Sequence, residues 1–381
     1  MKHRAFFLTI AVAALIFAPV ACKKKGGGAD AGVAGTENIT KGKDLPAPDV
    51  YVLGTKGNGQ GGELPALWKN GVEQSLGLGA DASVHSIFVS GNDVYMAGNV
   101  RVPGAENDGA GKLLLTLWKN GAAKHYGDGG SGSNANSVFV SGKDVYVAGH
   151  EAKRHGEWET NVATLWKNGV AQRLSNEGND AFAYSVFLEG ADVYVAGGES
   201  ELKEFGNLVA KLWKNGVAQP YSDGSHNVWA KSVFVSGGNV YVAGYEAINV
   251  DGEMGTAATL WVNGKAKRLG LGDGKTNAEA RYAFVSGNDV YVAGCEDNAQ
   301  GNSMAILWKN GAAQRLNNGG GKAEANSVFV SSGSDVYVAG YESNAQGNKM
   351  ATLWKNNTPQ HLSDGKTNAV AYYVFVADAT K

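Results

Sequence analysis

The chain has 381 residues and a formal net charge of −2; 55 are Gly and 7 Pro, 43% are hydrophobic and 18% charged. That apolar content excludes an intrinsically disordered chain, and the glycine excess with few charges marks a turn-rich globular body. Seven Lys/Arg stand against three Asp/Glu in residues 1–44, so the remainder sums to −6, the wrong sign for a nucleic-acid footprint; two cysteines are too few for a disulfide scaffold.

The N-terminus opens Met1-Lys2-His3-Arg4 and continues in an almost unbroken apolar run from Ala5 to Ala18. A positive start, a hydrophobic core and small residues after it are the layout of a secretory signal. The run falls short of the roughly 20 residues that span a bilayer. Ala21-Cys22 follows, then Lys23-Lys24-Lys25 and Gly26-Gly27-Gly28. A small residue before a cysteine at the end of an apolar core resembles the bacterial lipoprotein signal. That resemblance implies cleavage before Cys22, acylation of this cysteine and a lipid anchor in the bacterial cell envelope, with the outer membrane as the expected site. The plainer alternative is an ordinary secretory signal in which Cys22 has no part. Residues 1–21 are thus read as signal peptide. Residues 22–48, rich in Gly, Ala and Lys and ending in Pro46-Ala47-Pro48, are read as a flexible tether.

From Asp49 a pattern recurs whose fullest copy reads Ser327-Val-Phe-Val, Asp335-Val-Tyr-Val-Ala-Gly, Ala351-Thr-Leu-Trp-Lys-Asn and Gln360-His-Leu. Seven tryptophans mark it, Trp68, Trp118, Trp166, Trp213, Trp261, Trp308 and Trp354, at spacings of 46 to 50 residues, inside the range of propellers and solenoids. Each repeat holds four short β-branched and aromatic runs, which predicts four strands. Asn-Gly separates the third from the fourth in six repeats (Asn70-Gly71 is the first) and Asn356-Asn357 does so in the seventh. Such pairs accept the positive φ angles of a two-residue hairpin. The first two strands are apolar on both faces and the fourth alternates, as expected when sheets stand side by side in a ring with wet outer edges.

The chain enters the pattern at a second strand, marked by Tyr51, and leaves it after a first strand, Tyr373–Val376. Placing the spare strand in the vacancy gives seven complete blades. These repeats resemble β-propeller repeats, without the Gly-Gly doublet of kelch blades in most copies and without the Trp-Asp ending of the Trp-Asp family. The expectation is an all-β fold over residues 49–381, a seven-bladed β-propeller of four-stranded blades whose ring is closed by the C-terminal strand completing the N-terminal blade.

One face of such a ring carries the near-identical tight turns. The other carries the long second-to-third loops, residues 99–113, 151–161, 199–208 and 245–257, and the connectors between blades. Just before each first strand the copies read Ala-x-Ala-x-Ser, with variation at the framing positions. The x positions differ widely: Ser83/His85, Asn134/Asn136, Phe182/Tyr184, Trp229/Lys231, Glu279/Arg281, Glu324/Asn326 and Val370/Tyr372. They are expected to rim the channel mouth. Asn136, Tyr184, Trp229, Lys231, Arg281, Asn326 and Tyr372 are the candidate ligand-binding residues, since aromatic platforms with a few polar groups suit sugars or peptides. Drift at exposed sites is the alternative.

Other repeated features read as structural. Lys69, Lys119, Lys167, Lys214, Lys309 and Lys355 are expected to guard strand edges. Glu151, Glu199, Glu246, Glu296 and Glu342 are expected to anchor loops. The Asp-Gly pairs at Asp128, Asp223, Asp273 and Asp364 lack the full calcium-loop pattern and read as turns. No metal-binding pattern of histidines, nucleophile elbow or phosphate loop stands out, so no metal, cofactor or catalytic residue is assigned. The resulting expectation is a monomeric, lipid-anchored extracytoplasmic propeller that binds a carbohydrate or a protein through its variable face. A glycan hydrolase or lyase with its site at the channel mouth, and a structural envelope protein, are the rival readings.

Overall fold

The computed structural model describes residues 47–377 other than 104–110, 131, 156–157, 202–205, 251, 271–276 and 318–320. The signal peptide, Cys22, nearly all of the tether, the Asp128 side chain and Asp273 lie outside the described residues.

Among the described residues twenty-eight strands form seven four-stranded antiparallel sheets. In six of them the strands follow one another in chain order from the channel outward. Blade 7, for example, runs Ala323–Val330, Val336–Ser343, Lys349–Lys355 and Thr358–His361. Blade 1 is made from both ends of the chain. Its innermost strand, Ala369–Ala377, pairs with Asp49–Gly57, setting Phe375 opposite Tyr51. The seven-bladed ring and its closure are therefore as the repeats predict.

Burial follows the expected gradient. The fourth strands Val170–Arg173, Val217–Pro220, Ala312–Arg315 and Thr358–His361 are exposed along their whole length. The repeat tryptophans are buried, each facing the preceding blade: Trp118 packs with Tyr51, Leu53 and Leu67, and Trp166 with Ala97, Leu115 and Leu117. Stability thus resides in blade-to-blade clusters, in which the tryptophans are among the largest fully buried side chains. A second link joins the inner strands. Val138 N–H donates to Ser86 Oγ at 3.2 Å, and Val186, Val233, Ala283 and Val374 repeat the bond to Ser137, Ser185, Ser232 and Ser327.

The channel is not open. Phe88, Phe139, Phe187, Phe234, Phe284, Phe329 and Phe375 touch in sequence around it and back to the start, with ring centroids 4.5–5.4 Å apart. Two blades carry Tyr where the others carry the bridging Ser. Tyr282 and Tyr373 turn toward the channel and share a hydrogen bond of 2.6 Å between their hydroxyls.

On the tight-turn face the lysines behave differently from the edge-guarding role expected of them. They lie on third strands, which the fourth strands cover. Lys119 pairs with Asp93 at 2.7 Å and sits over the Tyr95 ring, while Asn120 donates to Asp93 and accepts the Val94 N–H. Asp49–Lys69, Asp144–Lys167, Asp192–Lys214, Asp289–Lys309 and Asp335–Lys355 repeat the pair. In blade 5 both partners are absent together: Asn239 replaces Asp, Val262 replaces Lys, and Asn263 donates to Asn239 at 2.8 Å. Asn120 and Gly121 have φ of 51° and 83°, the left-handed geometry of the predicted hairpin turn.

Candidate functional site: a rim of seven bulges

The Ala-x-Ala segments are not connectors leading into the first strands. They are the upper halves of those strands, which begin at Ala82 in blade 2 and Ala278 in blade 6. Several expected loops are likewise paired strands: Asp144–His155 with Trp158–Lys167, and Asn239–Val250 with Glu253–Val262, form long hairpin arms. Pairing continues because the backbone groups of these segments find partners across the hairpin instead of in water.

Each first strand has one irregularity, always at the same place. In blade 2 the register slips between Val84 and Ser86, leaving His85 unopposed. The same slip isolates Asn136, Tyr184, Lys231, Arg281, Asn326 and Tyr372. A bulge residue is unpaired and its side chain is re-aimed. Here the re-aimed side chain points over the channel mouth.

The glycine of each Ala-Gly makes room for the slip. A Cβ on Gly98 would stand 1.9 Å from the Ser83 carbonyl oxygen, and one on Gly244 would stand 1.8 Å from that of Trp229. The other five Ala-Gly or Leu-Gly glycines meet the matching carbonyl at 1.9–2.1 Å. Only a residue without Cβ admits the neighbouring strand so closely.

All seven bulge residues line one depression of about 450 Å³, completed by Thr55, Glu63, Ser83 and Val84. Six of the seven candidate residues are therefore brought together. Trp229 is not among the lining side chains: it stacks on Tyr245 of the adjacent strand at 4.8 Å. His85, the bulge residue of blade 2, takes the seventh place. Tyr282 and Tyr373 line, with the phenylalanine ring, a separate small cavity of about 60 Å³ within the channel.

The aromatic platforms are fewer than expected. Tyr184 lies parallel to Phe182 and carries the Lys231 ammonium 4.3 Å from its ring centroid. Burial pushes its phenol up to about 12, so it remains a neutral hydroxyl. Tyr372 is 37% exposed and is the aromatic open to solvent in the bowl.

The polar groups divide into two walls. On blades 6 and 7 Arg281 is saturated: Nε and Nη2 donate to Glu279 at 3.1 and 3.0 Å, and Nη1 donates to Glu324 and to Asn326 Oδ1. Burial raises the Glu324 pKa, but the Arg281 charge and hydrogen bond outweigh it and hold the carboxyl below its ordinary range. On blades 2 to 5 the wall is less committed. His85 Nδ1 donates to the Ala135 carbonyl at 2.9 Å, which leaves Nε2 as an acceptor; Asn136 Nδ2 donates to the Ala183 carbonyl at 2.8 Å. Burial lowers the His85 pKa, keeping the imidazole neutral.

Three of the repeated glutamates pair with groups of their own blade: Glu151 with Lys153 on the same strand, Glu199 with Lys211 and Asn179, and Glu246 with Arg268. Asp223 and Asp364 cap turns by accepting the N–H two residues on. Cys295 is a buried free thiol pushed up to about 11 by burial. Among the described residues no group of three His, Cys, Asp or Glu is placed to hold a metal ion.

Fold and site together define a seven-bladed β-propeller with a plugged channel and a chemically varied rim. No protein-family profile matches the chain, and no curated protein does. Solved structures do resemble it. The β-propeller domain of the trilobed protease from Pyrococcus furiosus, described as having an open velcro topology, matches with a TM-score of 0.54 at 10% identity, over 84% of this chain and 96% of that one. An acylaminoacyl peptidase in complex with Z-Gly-Gly-Phe-chloromethyl ketone matches with a TM-score of 0.50 at 13% identity, over 84% and 52%. The Pyrococcus horikoshii acylaminoacyl peptidase gives 0.49 at 14%, over the same shares. This chain spans about half the length of those two peptidases. The likeness is one of fold, that of a β-propeller.

Proposed function

We propose that the protein is a lipid-anchored, extracytoplasmic binding module whose ligand, a carbohydrate or a segment of another protein, sits in the bowl over the plugged channel. One observation carries this reading. The scaffold repeats its Gly, Phe and Trp in every blade, yet the bulge position holds His, Asn, Tyr, Lys, Arg, Asn and Tyr around a single depression. A position re-aimed by the backbone in all seven copies, and filled by five different residue types, reads as a recognition surface on a constant frame. The Phe ring beneath it stops a ligand from passing through, which suits capture at the mouth.

The hydrolase reading is weaker. It needs a carboxyl pair free to exchange protons with substrate, and the half-buried rim carboxylates Glu279 and Glu324 are both bonded to Arg281, while Glu63 lines the depression as a single exposed carboxylate. The test is a screen of the full-length protein against a glycan array and a peptide array, repeated with Asn136→Ala and Tyr372→Ala combined. Specific signals abolished by the pair are expected. Signals that persist in the double variant would place the ligand elsewhere.

A further inference from the structure

Three of the seven bulge side chains share a habit that Lys231 does not follow. His85, Asn136 and Asn326 each reach to the next blade and donate to the carbonyl of its second Ala-x-Ala alanine, Ala135, Ala183 and Ala371. In doing so they stitch neighbouring blades together at the mouth. Lys231 has the same carbonyl available in principle, that of Ala280, and makes no bond to it. Its chain turns back toward the preceding blade, and its ammonium rests over the Tyr184 ring at 4.3 Å.

That leaves an unusual balance of charge. Arg281, the other cation lining the bowl, has two carboxylates; Lys231, among the described residues, has an aromatic face and no ion-pair partner. Burial, and next the Arg281 charge, pull its ammonium below the ordinary lysine range, with Glu279 opposing. Around it stand groups whose capacity is also unspent. The Tyr184 hydroxyl has no hydrogen-bond partner among the described residues, and neither do Asn136 Oδ1 and His85 Nε2. A half-buried cation without a counterion is poorly solvated, and an anion supplied from outside restores what the fold withholds.

Resting on the bowl as the ligand site, we propose that the ligand carries a carboxylate that docks on Lys231, with its hydroxyl or amide groups on Tyr184, Asn136 and His85. A planar monoanion suits this wall better than a phosphate. One ammonium offers a single charge, and the Arg281 guanidinium, already paired with Glu279 and Glu324, is not available as a second cation for a dianion. Both acidic sugars and peptide C-termini present such a group.

Calorimetric titration of the full-length protein separates these sources, using glucuronate oligosaccharides, N-acetyl-dipeptides with a free C-terminus, and the neutral glucosides and C-terminal amides as matched controls. At least one acidic ligand is expected to bind about tenfold more tightly than its neutral match, the worth of one charge-assisted hydrogen bond. Lys231→Met should remove that preference and Lys231→Arg should keep most of it, with melting temperatures close to wild type confirming that the variants are folded. Equal affinity for acidic and neutral members of every pair, or an undiminished preference in Lys231→Met, overturns the proposal. If neutral ligands still bind and are lost in Tyr372→Ala, the carboxylate is refuted while the bowl remains the binding site. If nothing in either series binds, the carboxylate inference falls.

Discussion

Phe375, near the C-terminus, packs on Phe88 of the second blade with ring centroids 5.0 Å apart. With its contact to Phe329 it completes the aromatic ring, and its strand completes blade 1. The last strand is therefore both edge cover and channel plug. Phe375→Ala should cost about 3 kcal/mol, the usual price of removing a packed phenylalanine. Deleting residues 372–381 should do more, exposing the inner edge of Asp49–Gly57 to other chains. Loss of a cooperative melt, or oligomers on size-exclusion chromatography, is the expected result; an unchanged monomer with an unchanged melting temperature would contradict closure by both termini.

Gly244 lies under the Trp229 carbonyl, where a Cβ would come within 1.8 Å. Gly244→Ala must push the first strand of blade 5 away or flatten its bulge. A destabilisation of about 2 kcal/mol is expected, at the level of overpacking in a close-packed site. Because the bulge aims Lys231, the same change should weaken ligand binding more than Gly252→Ala, which alters an open turn at the tip of the same blade's hairpin arm. Urea denaturation and titration on the two variants compare them directly.

Asn357 adopts φ of 66° in the one hairpin turn where Gly does not follow Asn. Glycine takes that conformation without steric cost. Asn357→Gly is accordingly expected to stabilise the protein by about 0.5 kcal/mol, since relief of the left-handed strain is partly offset by a more flexible unfolded chain. A lower melting temperature would show that Asn357 makes a contribution beyond its turn.

His150 is buried against the edge of Phe182, and burial holds its pKa at about 4 where 6.5 is ordinary. The unfolded chain takes up this proton near pH 6.5 and the folded protein only near pH 4. Its contribution to stability is thus complete above 6.5 and is lost as pH falls from 6.5 to 4, by about 3 kcal/mol in all. Asn99 occupies the equivalent place in blade 2, so His150→Asn is the fitting control. Unfolding free energies at pH 7 and 4.5 should differ less in the variant than in wild type. Equal pH dependence in both would assign the acid sensitivity to other groups.

Replacing Cys22 with Ser tests the proposed anchor. Release of the protein from the membrane pellet into the soluble fraction is expected, because the proposed attachment is the acyl chains on this cysteine. A variant that stays in the pellet after a high-salt wash would refute lipid anchoring through this residue.

The blade count, the hairpin turns and the way the ring closes were legible in the residues themselves. They depend on local chemistry, Asn-Gly taking positive φ and short β-branched runs pairing across it, and on a period that brings Trp68 to Trp354 into equivalent places. The rim at the channel mouth was legible only in outline. Ala-x-Ala-x-Ser-Val-Phe reads as unbroken alternation, and strict alternation puts His85 and Phe88 on opposite faces. Both face the channel, which requires one extra residue between them. That odd spacing, opposite a glycine, was the available signal for the bulge. Other outcomes had no local signature. Whether an aromatic is a platform depends on what covers it: Trp229 is taken by Tyr245 and Tyr184 by Phe182 and Lys231, whereas Tyr372 stays open. The pairing of Arg281 with Glu279 and Glu324, and the solitude of Lys231, likewise arise from contacts across blades. Sequence patterning settles which face of a strand is buried, but only packing in three dimensions decides which polar groups satisfy one another and which are left for a ligand.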